Sequence, residues 1–189
     1  EMSRKVLVLG GAGYIGSHVA KALALRGDLP IVIDNLTSGH EDFVRWGPLL
    51  KADIRDSSAL DSAFRAFKPD AVMHFAASIE VGLGEIYPME FWNNNVAGSL
   101  NVLSAMQAHG CRTLVFSSTC AVYGTPERLP LCETHPRHPI NTYGRTKLVI
   151  AQALEDAARA DIIEFVAFRY FNAAGASPDG EIGEAHTPE

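Results

Sequence analysis

A chain of 189 residues, 47% hydrophobic and 20% charged, is ordinary for a globular core, either one large domain or one domain with part of another. With 16 Lys and Arg against 22 Asp and Glu, a net charge of −6 and the acids scattered, nothing in the chain attracts nucleic acid or an anionic membrane surface. No stretch approaches the roughly 20 apolar residues of a membrane span, and no signal-peptide pattern precedes the first apolar run, so a cytoplasmic location is expected; Glu1 ahead of Met2 reads as a residue added before a natural start.

Short continuous apolar runs alternate with longer stretches of helical period, which predicts an α/β chain of buried parallel strands joined by crossover helices. In chain order the first half is predicted as a strand over Lys5–Leu9, a helix over Ile15–Arg26, strands over Pro30–Asp34 and Leu49–Lys51, a helix over Ser57–Phe67 and a strand over Ala71–Phe75. The second half follows as a helix over Met89–Ala108 stopped by Gly110, a strand over Thr113–Ser118, a helix over Tyr143–Ala160 and a strand over Glu164–Phe168. Each strand is short enough to be covered on both faces. Asn172 to Glu189 is rich in Gly, Pro, Ala and acids and predicts no element. The expected organisation is therefore a domain over residues 2–171, followed at 172–189 by the start of a further region that is cut short.

Cys111, Cys120 and Cys132 are odd in number and lack C-x-x-C spacing, which argues against a disulfide framework and against a thiolate zinc site. His135 and His138 lie among Pro130, Pro136 and Pro139, which deny them a helical face, so a solvated loop is expected there and no metal.

Gly10-Gly11-Ala12-Gly13-Tyr14-Ile15-Gly16 follows the run Val6–Leu9 and opens a helix. It fits the dinucleotide fingerprint as Gly11-x-Gly13-x-x-Gly16, and equally the spaced form beginning at Gly10. The glycines supply a tight turn, a close backbone approach to a pyrophosphate and close packing of helix on strand. The N–H groups at the helix start then bind phosphate without a basic side chain. A lone glycine-rich run also serves plain turns, but here the second strand ends on Asp34, about 20 residues on, where an acid bonds the adenine-ribose hydroxyls. A carboxylate there repels a 2′-phosphate, and no Arg follows among Asn35-Leu36-Thr37-Ser38, so NAD is predicted over NADP. The plainer role of Asp34 is a turn former at a strand end.

Tyr143 and Lys147 are four apart at the start of a predicted helix and share a face. A phenol is a poor base at neutral pH, and a nearby ammonium is expected to lower its pKa, so that Tyr143 takes a proton from a substrate hydroxyl while Lys147 also binds the nicotinamide ribose. The preceding strand ends in Phe116-Ser117-Ser118-Thr119, at the carboxyl edge where open α/β sheets bind ligands. Thr119 is read as bonding the reacting oxygen. For Ser117 and Ser118 a backbone-capping hydroxyl and a functional one stand equally open.

These motifs join with Asp53-Ile54-Arg55-Asp56, His74-Phe75-Ala76-Ala77, Asn94-Asn95-Val96, Val122-Tyr123-Gly124 and Arg169-Tyr170-Phe171-Asn172-x-x-Gly175. Together they identify a resemblance, running from Lys5 to Glu189, to the extended short-chain dehydrogenase/reductase family and within it to bacterial nucleotide-sugar 4-epimerases. The resemblance implies a doubly wound parallel-sheet Rossmann fold with the smaller C-terminal substrate domain mostly absent. It implies NAD held by Gly10, Gly13, Tyr14, Ile15 and Gly16, by Asp34, Asn35 and Ser38, by Asp53 and Ile54 at the adenine, and by Phe75, Ala76 and Ala77. Asn94, Ser117, Tyr143, Lys147 and Tyr170 complete that set. Tyr143, Lys147 and Thr119 would be catalytic, and Thr119, Tyr143 and Asn172 would meet a UDP-sugar of the UDP-glucose/UDP-galactose type, whose C4 is inverted through a 4-keto intermediate; a homodimer is the implied assembly. Asn94 and Asn95 are poor helix formers in a predicted helix interior, which favours a functional reading of the pair.

The chain departs from the family pattern at Thr142, where Pro is common and where Thr can act as N-cap, and at Ile79-Glu80, where some members carry Lys. Family members also continue well past residue 189 into the region that binds uridine. A nucleotide-sugar 4,6-dehydratase or decarboxylase is the alternative enzyme, yet it needs an acid after the Ser-Thr pair, where Cys120 and Ala121 stand. A non-catalytic NAD-binding protein is the alternative from another class.

Overall fold

The computed structural model describes residues 3–185, so Met2 and residues 186–189 of the expected regions lie outside the described residues. The apolar runs become strands β1 (Lys5–Leu9), β2 (Leu29–Asp34), β3 (Leu49–Lys51), β4 (Ala71–His74), β5 (Thr113–Ser117) and β6 (Glu164–Phe168), all parallel, in the order β3-β2-β1-β4-β5-β6. The chain winds outward from β1 to β3, returns, and winds outward again from β4 to β6. The direction therefore switches between β1 and β4, and a crevice opens there at the carboxyl ends of the strands. This is the expected doubly wound Rossmann arrangement.

Helices cover both faces because the central strands are apolar on both. Helix α1 (Tyr14–Leu25) packs Ala20 against Val6, Val8 and Val32. On the other face α2 (Ser57–Phe67), α5 (Gly98–His109) and α6 (Thr142–Arg159) bury Leu7, Leu9, Ile31, Ile33, Val72, Leu114 and Phe116 under Leu60, Phe64, Val102, Met106, Ile150 and Leu154. No helix among the described residues is long and apolar enough to cross a membrane.

Two expectations change. The single helix predicted over Met89–Ala108 is α4 (Pro88–Phe91), a π turn (Trp92–Ala97) and then α5, preceded by a short α3 (Val81–Ile86) that has too few residues to show a period. The π turn coincides with Asn93-Asn94-Asn95, and the Gly98 N–H donates to Asn93 O, five residues back. His135 is buried rather than solvated: its Nε2 accepts from Glu127 N–H at 3.1 Å, so Nδ1 carries the proton and donates to Pro136 O at 3.0 Å, with the ring edge-on to Tyr123. The segment after Asn172 forms no helix or strand, yet it packs on α1. Ser177 and Ile182 are buried, Tyr14 Oη donates to Gly175 O at 2.6 Å, and Lys21 Nζ bonds Ser177, Asp179 and Glu181.

Candidate active site

The glycine loop sits at the switch point. Gly10 has φ +77°, and a Cβ there would lie 2.6 Å from Ala76 N, in the loop after β4. At Gly16 a Cβ would lie 2.2 Å from Gly10 O, so neither position admits a side chain. Gly13 caps α1 without a side chain, and no acid lies in the first turn. The helix thus presents unneutralised N–H groups and its positive end to the crevice, a cradle matched to phosphate. Tyr14 and Ile15 are half-buried in that first turn.

Asp34 ends β2 only 9% exposed, accepting from Ala12 N–H at 3.0 Å and Leu36 N–H at 2.8 Å. The turn-forming role is therefore present, with Leu36 at φ +59°. A carboxylate has about four acceptor sites, and two stay available. Asn35 donates to Asp53 at 2.9 Å, and the guanidinium of Arg55 beside Asp53 holds that carboxyl well below the usual range. Ile54 turns its side chain into the core against Gly98, and its carbonyl accepts from Asn101 Nδ2 at 3.3 Å. Ser38 is exposed. Across the switch point, Phe75 and Ala76 N–H both donate to Leu9 O, at 2.8 and 3.0 Å, and Ala77 follows, half-buried.

The second half of the site forms at the end of β5. Thr119 caps a short 3₁₀ turn (Cys120–Tyr123), its Oγ1 accepting from Ala121 N–H at 3.1 Å. Ser117 bonds the Tyr170 hydroxyl through Oγ and accepts Lys147 Nζ on its carbonyl at 2.9 Å. Lys147 is 2% exposed, with Nζ 4.9 Å from the Phe116 ring centroid and 5.9 Å from that of Tyr143. Thus Tyr143, Lys147, Thr119, Ser117 and Tyr170 lie together at the end of β5. Asn172 does not join them, lying exposed beyond β6.

The electrostatics of the Tyr–Lys pair differ from expectation. Burial pushes the Tyr143 phenol up to about 12, with the Thr119 hydroxyl acting the other way. Burial also drives the Lys147 ammonium down to about 7. Burial is the largest cause at both groups, and Lys147 Nζ is turned to Ser117 O. In this structure the phenol is held neutral rather than primed as phenolate.

Two further corrections concern supporting residues. Thr142 is not the N-cap of α6. Asn141 is, with Oδ1 accepting from Gly144 N–H at 2.7 Å, while the Thr142 N–H goes to Glu85 at 2.6 Å. Asn95 is wholly buried as a brace: Oδ1 accepts from Ser78 N–H at 2.8 Å and Nδ2 donates to Ser78 O at 3.0 Å and Thr146 Oγ1 at 3.2 Å. Asn94, half-buried, donates to Ser78 Oγ at 3.0 Å. Sequence reading gave no role of their own to His74, Ser99, Thr146 and Glu85. Only His74 carried a signal, as a polar residue closing an apolar strand.

The glycine cradle at the switch point and the Tyr–Lys helix beside β5 define a Rossmann fold of the short-chain dehydrogenase/reductase type. Within that class the chain belongs to the NAD dependent epimerase/dehydratase family, whose model matches residues 6–188. It is 54% identical over 184 residues to a UDP-glucose 4-epimerase of Rhizobium leguminosarum bv. trifolii, covering 97% of this chain and 56% of that protein. A second UDP-glucose 4-epimerase, of Rhizobium meliloti (strain 1021), is 52% identical over 187 residues, covering 99% and 57%. Among solved structures, a UDP-glucose 4-epimerase from Brucella ovis in complex with NAD superposes with a TM-score of 0.96 at 48% identity, over 99% of this chain and 57% of that one. The enzyme from Bifidobacterium longum in complex with NAD+ and UDP does so with 0.92 at 34% identity, over 97% and 58%. The chain spans little more than half the length of the curated relatives it matches.

Proposed function

We propose that this chain is the cofactor-binding and catalytic portion of a UDP-glucose 4-epimerase, which uses NAD to invert the C4 centre of UDP-glucose and UDP-galactose through a transient 4-keto sugar. The observation that carries the reading is the meeting of Tyr143, Lys147, Thr119 and Ser117 at the carboxyl end of β5, one strand beyond the switch point where the glycine loop lies. Similarity to UDP-glucose 4-epimerases, two of them solved with NAD, supports it.

The residues fit NAD. Neither Gly10 nor Gly16 admits a Cβ, which keeps the loop close-packed for a near backbone approach to a pyrophosphate, and Asp34 offers acceptor sites to ribose hydroxyls where a 2′-phosphate would be repelled. When bound, NAD would supply the acceptor and donor of the hydride exchanged with C4. Asn35, Ser38, Asp53 and Ile54 would surround the adenosine. Phe75, Ala76, Ala77, Asn94 and Tyr170 would line the other half.

Within this reading the half-buried Tyr143 phenol holds and moves the C4 hydroxyl proton. With the phenol pushed up to about 12, its base form needs added positive charge. The Lys147 ammonium and the cationic ring of oxidised nicotinamide are the two sources. Thr119 orients the reacting oxygen beside Tyr143, and Lys147 bonds the ribose. Cys120 and Ala121 follow Thr119 and offer no acid for elimination, which favours epimerisation over dehydration or decarboxylation. Asn172 would meet the phosphate-sugar portion of the substrate. A homodimer and a cytoplasmic setting complete the proposal; the free thiols Cys111, Cys120 and Cys132 suit a reducing compartment.

The test uses a protein of the relatives' full length carrying this chain. Incubated with UDP-glucose, it is expected to form UDP-galactose at unchanged mass. Tyr143→Phe should then lower kcat by about 100- to 10,000-fold with NAD retained, the range for a positioned acid-base group. A product lighter by one water, or a Tyr143→Phe rate near that of the wild type, would sink the assignment.

A further inference from the structure

His74 closes β4 with 2% exposure, Nε2 lying 2.8 Å from Ser99 Oγ and Nδ1 without a hydrogen-bond partner among the described residues. A half-satisfied imidazole is costly to bury, and an aliphatic side chain would fill the place against Phe116, whose ring lies 5.7 Å away, without that cost. The bond to Ser99 therefore calls for a reason, and following its protons supplies one. Ser99 Oγ spends its own proton on Asn95 O at 2.6 Å, so His74 must be the donor to Ser99, which fixes the Nε2–H tautomer. Asn95 Nδ2 then donates to Thr146 Oγ1 at 3.2 Å, and Thr146 donates to Tyr143 O at 2.7 Å. Every donor in the series points one way, from the end of β4 through the π turn to the first turn of α6. At Asn95 the series passes from the main-chain O to the side-chain Nδ2, so it ties the elements together by position and not by continuous polarisation. π turns inside helices are frequent at functional sites.

We propose that His74 is a positioning residue for Tyr143 and the cofactor face: as the Nε2–H tautomer it anchors Ser99, and through Ser99 and Asn95 it holds the π turn bearing Asn94 in register with the turn of α6 that carries Tyr143. A charge on the ring would make it a donor at Nδ1 as well, beside the buried Lys147 ammonium; burial and that ammonium keep the imidazole neutral, down to about 3. The proposal rests on the reading of Asn94 and Tyr143 as parts of an NAD site.

The first test is independent of that reading. A long-range proton–nitrogen spectrum of the 189-residue chain should show His74 protonated at Nε2 and bare at Nδ1; a proton on Nδ1 would overturn the proposal. The second compares His74→Gln, which carries an amide donor to the place of Nε2, with His74→Leu and Ser99→Ala, which break the series at its first link. The readouts are the side-chain amide resonances of Asn94 and Asn95 and the calorimetric affinity for NAD. Folded chains carrying His74→Leu or Ser99→Ala should shift both amide resonances and bind NAD about tenfold more weakly, the scale of one lost buried hydrogen bond, whereas His74→Gln should stay within about threefold of wild type. A folded His74→Leu chain with unmoved resonances and wild-type affinity contradicts the proposal, and if that variant fails to fold, Ser99→Ala and the tautomer decide. Should the wild type bind no NAD, the functional reading fails while the resonances still judge the hydrogen-bond series.

Discussion

A buried ammonium is among the most expensive groups a protein carries, and Lys147 has its hydrogen bond to Ser117 O and the face of Phe116 to offset its loss of water. Its proton linkage has a definite sign. Below pH 7 the folded and unfolded chains both hold the proton, and the burial cost is constant. Between about 7 and the ordinary lysine value of 10.5 only the unfolded chain holds it, so stability rises with pH and then levels. Tyr143 works in the opposite sense at higher pH: the unfolded phenol ionises near 10 while the folded one resists to about 12, so stability falls across that range. Lys147→Met should therefore abolish the rise between pH 7 and 10 and stabilise the chain at pH 7 by roughly 1–2 kcal/mol, while weakening NAD binding. Thermal melts at pH 7 and pH 9 check this, and an unchanged rise with pH in the variant would show that another group carries it. A lysine kept at that cost is what a functional site predicts and a helix-face decoration does not.

Helix α6 presents Tyr143 and Lys147, and its first turn is held from two sides, by Asn141 capping Gly144 N–H and by Glu85 of α3 taking Thr142 N–H. Asn141→Ala should cost about 1 kcal/mol, the typical value for a lost N-cap, seen as a lower denaturation midpoint with unchanged slope; no loss would mean that Glu85 alone secures the helix start. This element also shows where sequence reading reaches its limit. Asn141 and Thr142 are adjacent and both suit an N-cap, and the choice is made by Glu85, more than fifty positions away. The central strands were legible because both faces are apolar, and the phosphate loop because strand, glycines, helix and Asp34 fall in register; β6, expected to be covered on both faces, instead leaves Val166 and Phe168 about half exposed. The π turn was not, since helical periodicity blurs when one residue is inserted, although the three consecutive Asn residues marked the place. The link between His74 and Ser99 has no local signature, because the sheet and α5 bring the two together only after folding. The lowered pKa expected for Tyr143 failed for a related reason, since desolvation depends on packing that spacing does not reveal.

At the scale of the whole molecule, the surface around α3 and α4 exposes Val81, Leu83, Ile86, Tyr87 and Met89, and Leu100 of α5 lies exposed nearby in sequence, with Met89 74% exposed. So much apolar area on consecutive elements marks an interaction surface, and the proposed homodimer would use it together with α5 and α6. Light scattering after size exclusion should give twice the chain's mass, and Met89→Glu should restore the monomer; a wild-type monomer at micromolar concentration would remove the dimer from the account. The sheet's switch point, the glycine cradle and Asp34 all converge on the cofactor. Calorimetric titration of the 189-residue chain with NAD and, separately, with NADP tests the choice of NAD most directly. NAD should bind at least about tenfold more tightly than NADP, with the preference lost in Asp34→Ala, because the charged acceptor for the ribose hydroxyls and the repulsion of a 2′-phosphate disappear together; equal affinity of the wild type for the two dinucleotides, or binding of neither, would overturn the cofactor assignment.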